Sequence, residues 1–199
     1  MSRVLVALVI LLAATACKPD SVPVPNETNV DVDTPALVRA KDAAGIADCT
    51  PGSGSPVDGG LPDVTLPCLG GGPDVDLSSL RGPLVVNVWG AWCGPCRREL
   101  PHVAEFYDKY GDQVPVLGLD YGDVIPSSAI EMLRNKGATY PQVADPGGEV
   151  LGKSPFTGRM GVPSSLFVDA EGKVTLVPVE LKSTAELVDL VEQHLGITL

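Results

Sequence analysis

Two cysteines three residues apart, Cys93 and Cys96, carry the most direct chemical signal in this sequence. A pair at that spacing becomes informative when it lies between a strand and a helix. Leu84 to Trp89 (LVVNVW) is too apolar for a half-wet strand and reads as a central one. From Pro95 to Tyr110 the apolar residues Leu100, Val103, Phe106, Tyr107 and Tyr110 recur at three- and four-residue steps, as a helix requires. Cys93 then sits just before the first helical turn, where free N–H groups and the helix dipole stabilise a thiolate. Cys96 lies one turn in, close enough to attack a mixed disulfide formed at Cys93. Pro95 suits the first turn because it has no N–H to waste. Cys93 is therefore expected to be the attacking nucleophile and Cys96 the resolving thiol. Trp92, Gly94 and Pro95 are expected to meet the substrate, with Trp92 packed beside Cys93 and Trp89 in the core.

The competing readings of the pair are weaker. A purely structural disulfide has the same spacing. Zinc needs two more ligands, yet His102 and His194 are the only histidines and no second close cysteine pair exists. Haem attachment needs His after Cys96, where this chain has Arg97. No metal and no cofactor are expected.

The elements that must position the pair follow from periodicity and punctuation. Val64 to Leu66 reads as a short edge strand, ended by Pro67 and Gly70 to Gly72. Pro101 falls about two turns into the helix after Cys93 and predicts a kink. Val114 to Asp120 is a second apolar strand, and Ser127 to Asn135 a helix stopped at Gly137. Tyr140 to Ala144 is short. Leu166 to Val168 and Val174 to Val179 read as strands joined by a hairpin at Asp169 to Gly172. Thr184 to Leu195 closes the chain as a helix with Leu187, Val188, Val191 and Leu195 on one face. The order predicts an α/β domain: a central mixed sheet with helices on both faces and an N-terminal extension.

The chain has 199 residues, 44% of them hydrophobic, enough for one domain with appendages. Lys and Arg number 14 against 25 Asp and Glu, a formal charge of −11. Such a chain repels a phosphate backbone and has no basic stripe, so nucleic acid is not an expected partner. At the start, Arg3 is followed by an apolar run from Val4 to Ala14 and then by Thr15, Ala16 and Cys17. That run is shorter than the roughly 20 residues a bilayer demands and reads as an export signal. It resembles a bacterial lipoprotein signal, in which the cysteine after the cut receives lipid, although Ala14 stands where such signals usually carry Leu. Residues 1–16 are expected to be the signal peptide and Cys17 the lipidation site, anchoring the protein to the membrane. Lys18 to about Pro35 reads as an extended tether and Ala36 to Ala47 as a short helix. The expected divisions are 17–60 for tether and extension and 61–199 for the domain proper.

Export lets paired cysteines stay oxidised. With Cys17 lipidated, four remain, an even number. Cys49 and Cys68 enclose a loop of glycine and proline and are expected to form a structural disulfide stapling the extension to the domain edge. A relay-type redox pair is the alternative.

The run NVWGAWCGPCRRELP, followed by GVPSSLFVDAEGKV, resembles the TlpA/ResA branch of membrane-associated thioredoxin-like proteins. The matching elements cover roughly Leu61 to Leu195. The resemblance implies a thioredoxin-like fold and electron transfer between cysteines outside the cytoplasm. It matches Pro163 to the cis-proline that faces the redox pair, exposing the backbone of Val162 to an extended substrate strand. The family usually carries Thr or another polar residue before this proline and Thr after it; here Val162 and Ser164 stand there. Asn87 stands where cytosolic thioredoxins carry a buried Asp, and an amide cannot serve as a base. Glu99, three residues after Cys96, matches a glutamate that influences the pair's titration, so it is a candidate proton carrier. A solvated Glu99 paired with a neighbouring Arg is the other reading.

The resulting expectation is an enzyme, an extracytoplasmic thiol–disulfide oxidoreductase. Gly94-Pro95 favours a reductant of exported cysteine-containing proteins, apocytochrome c among them, served by a membrane thiol reductant. The alternatives are an oxidant or isomerase for secreted proteins, and a redox-inactive peptide-binding module. A peroxidase shares the fold, but the Thr and Arg it needs about its cysteine are missing.

Overall fold

The computed structural model describes residues 30–157 and 161–199. The expected signal peptide, Cys17 and the first part of the tether lie outside the described residues. The chain enters through helix α1 (Pro35–Ala44), with Thr34 capping the Leu37 N–H and Pro35 in its first turn. It ends at Gly45, whose left-handed φ of 69° turns the backbone, so the helix stops short of the expected Ala47. Strands β1 (Thr65–Leu66) and β2 (Val75–Asp76) form a small antiparallel ribbon, and a 3-10 turn follows over Leu77–Ser79. The segment after the Gly-rich turn is too short to show a period, and so β2 escaped the sequence reading.

The main sheet is built from β3 (Leu84–Trp89), β4 (Val116–Tyr121), β5 (Gln142–Asp145), β6 (Ser164–Val168) and β7 (Val174–Val177), in the order β5-β4-β3-β6-β7. β3 and β4 run parallel, as do β4 and β5, whereas β6 is antiparallel to both β3 and β7. Helix α2 (Gly94–Tyr110) links β3 to β4, and α3 (Pro126–Lys136) links β4 to β5. Helix α4 (Thr184–Leu195) follows β7, capped by Ser183 on the Glu186 N–H. α2 runs through Pro101 without a break, although that ring removes the N–H that would bond the Arg97 carbonyl.

Strand alternation splits the interior in two. Val85, Trp89, Val116 and Phe167 point to one face, where they meet Leu37 of α1, Leu100 and Phe106 of α2, Ile130 of α3 and Leu187 of α4. Val86, Val88, Leu119, Leu166 and Val168 point to the other, covered by Leu61, Val64, Leu66, Val75, Leu77 and Phe156. The helices thus flank the sheet on one face, not on both as expected. Two crossovers, β3-α2-β4 and β4-α3-β5, step across the sheet in the same direction. Right-handed connections stepping one way leave their helices on the same side.

The N-terminal segment completes both layers. Val32, Leu37 and Ile46 are buried on the helical side. Cys49 is bonded to Cys68, with 5.9 Å between their Cα atoms, and Cys68 forms an isolated β-bridge to Val143 of β5. Beside this bond Lys41 is 2% exposed, a burial unusual for lysine. Its Nζ donates to the Gly71 carbonyl and the Asp48 carboxylate, each at 2.7 Å, and lies 3.6 Å from the Cys68 sulfur. Closing a loop of this size restricts the unfolded chain. The double substitution Cys49→Ser, Cys68→Ser is expected to lower unfolding free energy by roughly 3 kcal/mol in urea titrations. Equal midpoints and slopes for variant and parent would show that the bond does not constrain the unfolded state.

Candidate active site

The end of β3 and the start of α2 present the Cys93–Cys96 pair. The cysteines are bonded, their Cα atoms 5.3 Å apart. Cys93 is the N-cap of α2, with extended backbone, and its sulfur accepts the Cys96 N–H at 3.1 Å. A first-turn donor aimed at that sulfur favours its ionised form once the bond is reduced. Cys96 is fully buried and Cys93 nearly so, whereas Gly94 is exposed and Pro95 half-buried.

The approach to the pair is held from both sides. The Cys93 N–H donates to the Gly90 carbonyl. The Arg97 guanidinium donates to the Ala91 carbonyl at 2.9 and 3.2 Å, while the Ala91 N–H donates to Asp123 Oδ2 at 3.0 Å. Trp92 is 55% exposed, its indole N–H on the Tyr121 carbonyl at 3.2 Å. Trp89 is fully buried. The Val162–Pro163 peptide is cis, with Pro163 buried and Val162 half-buried. Ser164 pairs with Val88, so Pro163 stands one step further on, at the end of β3 that leads to Cys93.

Glu99 is 1% exposed, which removes the reading of a solvated helix residue paired with Arg. Arg97 is engaged on Ala91, and Arg98 reaches across to Glu180, with Nε to Oε1 at 2.8 Å. Glu99 Oε1 accepts from Asn87 Nδ2 at 2.6 Å and Oε2 from the Leu181 N–H at 2.8 Å. Burial pushes its pKa up to about 7. The two donors oppose that rise, and the charges of Glu180 and Glu186 add to it. Asn87 in turn accepts the Tyr140 hydroxyl at 2.9 Å. Asp120, near the end of β4, is buried with Oδ1 unpartnered, and burial with the nearby Asp123 and Asp145 raises its pKa well above the usual carboxylate range.

Tyr140, Gln142, Leu181 and Asp123 surround the pair's supports and escaped the sequence reading. Gln142 left little trace: it opens a four-residue strand that also carries Asp145, so a polar side chain there does not stand out. A cavity of about 310 Å³ between Pro51, Arg81, Pro83, Pro115 and Pro141 lies at the starts of β3 and β4, the opposite end of the sheet from the cysteine pair.

Residues 57–177 match the AhpC/TSA family, more than half of the chain, and the chain belongs to that family. It is 33% identical over 101 residues to the thiol-disulfide oxidoreductase ResA of Bacillus thuringiensis, covering 50% of this chain and 56% of that protein. The corresponding ResA of Geobacillus thermodenitrificans is 36% identical over 101 residues, covering 49% and 55%. The chain thus spans about half the length of the curated relatives it matches. The solved structure of DsbF from Mycobacterium tuberculosis, in mixed oxidised and reduced forms, superposes with a TM-score of 0.57 at 27% identity. It covers 69% of this chain and 98% of that one. The fold is thioredoxin-like, and the likeness to ResA runs over 101 residues of this chain.

A carboxyl that titrates higher when folded binds more protons in the native state, so stability falls as pH rises. For Glu99 the fall spans the interval from 4.5 to about 7. Glu99→Gln is expected to make this fall shallower by an amount on the order of 3 kcal/mol. It does not abolish the fall, because Asp120 and Asp145 are raised in the same direction. Urea midpoints measured from pH 4 to 8 check this. Parallel curves for variant and parent would show that Glu99 titrates as an ordinary carboxyl.

Proposed function

We propose that this member of the AhpC/TSA family is an extracytoplasmic thiol–disulfide oxidoreductase that reduces disulfides in exported proteins. The observation that supports it most is the placement of Cys93 as a helix N-cap receiving the Cys96 N–H, with Cys96 buried one turn behind. The relatives named thiol-disulfide oxidoreductase lend the same reading.

In the reduced enzyme the Cys93 thiolate attacks one sulfur of a client disulfide. An S–S bond forms to Cys93, the client S–S bond breaks, and the other client sulfur leaves as thiolate. Cys96, having lost its proton, attacks the Cys93 sulfur. The mixed disulfide breaks, the second client thiolate departs, and the Cys93–Cys96 bond forms. Two electrons have passed to the client. Glu99, one turn after Cys96 on the same helix and poised near neutral pH, is the group we assign to take the Cys96 proton.

Trp92, Gly94 and Pro95 form the surface that meets the client, and the backbone of Val162 before the cis-proline pairs with its extended strand. The apolar Val162 side chain favours clients with apolar residues beside their cysteine. Apocytochrome c is one client of suitable chemistry. A membrane dithiol returns the electrons, since each cycle leaves the pair oxidised. Within this reading residues 1–16 direct export, lipid on Cys17 holds the protein at the membrane, residues 17–60 carry the tether and extension, and 61–199 form the catalytic domain. Cys49–Cys68 is the structural bond.

Cys93→Ser is expected to abolish reduction of a model disulfide, while Cys96→Ser accumulates mixed disulfides through Cys93, detected by non-reducing mass spectrometry. Full activity in Cys93→Ser would overturn the roles. The direction is read from the redox potential of the couple. A value near about −270 mV supports a reductant, and one near about −120 mV makes the protein an oxidant.

A further inference from the structure

We propose that Tyr140 is a positioning residue for Glu99: its hydroxyl orients the Asn87 amide so that an N–H, not the carbonyl, faces the carboxylate. This rests on Glu99 as the proton carrier for Cys96.

The Tyr140 segment is held in place by bonds from the neighbouring strands. The Trp89 indole N–H can only donate, and it donates to Gln142 Oε1 at 2.9 Å. That leaves the Gln142 N–H group to donate to the Tyr140 backbone carbonyl at 3.1 Å, which ties down the segment carrying the Tyr140 ring. The Tyr140 hydroxyl donates to Asn87 Oδ1 at 2.9 Å. Asn87 Nδ2 then donates to Glu99 Oε1 at 2.6 Å. From the other side the Leu181 N–H takes Oε2 at 2.8 Å. Both carboxylate oxygens therefore meet donors, and the Tyr140 hydroxyl and the Asn87 amide donate in the same direction, toward Glu99.

Trp89, Asn87, Tyr140 and Gln142 are all fully buried. A misdirected bond in this chain would leave a polar group unsatisfied in a low-dielectric interior, where the cost is greatest. The sheet makes room for the chain: a Cβ at Gly118 of β4 would collide with the Gln142 amide. Donors to the ionised form oppose the upward pull of burial on Glu99. Without the Tyr140 hydroxyl, Asn87 is free to turn over so that its carbonyl oxygen accepts a hydrogen bond from neutral Glu99, which raises the pKa of the acid.

The charged and titratable neighbours of Glu99 are Tyr140, Glu186 of α4, and Glu180, which is itself held by Arg98 and Lys182. None of them is altered by removing the Tyr140 hydroxyl other than Tyr140 itself. In the oxidised protein Cys93 and Cys96 do not titrate, so the Glu99 carboxyl is read without them.

The test is a carbon-13 NMR titration of the Glu99 carboxyl in oxidised wild type and Tyr140→Phe. The midpoint is expected to rise by roughly one pH unit in the variant. An unchanged or lowered midpoint overturns the assignment. Should Tyr140→Phe fail to fold, the Asn87 side-chain amide of the wild type supplies the answer. Its nitrogen-15 and proton signals are expected to form one set that moves with the Glu99 midpoint, and signals that ignore it overturn the proposal. The redox reading fails separately, if reduced wild type leaves a model disulfide intact while the Glu99 titration behaves as expected.

Discussion

A helix begins at Cys93, and the rest of the site depends on how that beginning is satisfied. The first turn of α2 has N–H groups with no carbonyl to receive them, and the Cys93 sulfur accepts one of them. The same donor that completes the helix cap favours the charge the sulfur must carry to react. In the bonded pair that N–H caps the helix, and on reduction it is placed to meet the thiolate. For it to work, the strand before Cys93 must deliver the chain at the right place and angle. β3 does so from the middle of the sheet, paired on both sides.

The surrounding loops serve that delivery. Arg97 and Asp123 hold Ala91 from opposite directions, one at its carbonyl and the other at its N–H. β6 brings the cis peptide before Pro163 to the same end of β3. These contacts come from α2, the loop after β4 and the start of β6, which are far apart in sequence.

Beneath the pair the protein holds polar groups in a dry layer. Such groups are costly unless they are hydrogen-bonded, and Trp89, Gln142, Tyr140, Asn87 and Glu99 each make bonds there. A carboxyl held this way carries a proton affinity near neutrality without being exposed to solvent. The opposite face of the sheet has a different task. There the N-terminal ribbon, the turn at Leu77–Ser79 and the Cys49–Cys68 bond cover apolar strand surface, while α1 to α4 pack on the other face. One-sided crossovers make that cover necessary.

Local chemistry was enough to place the cysteine pair, four of the five main strands and the helices that follow them, whereas β5 was legible only as a short segment. Those features are written in short-range patterns: the C-x-x-C spacing, runs such as LVVNVW, and the three- and four-residue steps of α2 and α4. A helix cap and an apolar face need only neighbours in the chain. Which face of the sheet the helices occupy was decided by strand order, a property of the whole sheet. So was the fate of Glu99, whose partners Asn87, Tyr140 and Leu181 come from three other segments. The sequence reading weighed solvent against burial for that residue and had no means to choose. Burial and hydrogen-bond direction are settled by what packs against a side chain from a distance, and only the tertiary fold brings those groups together.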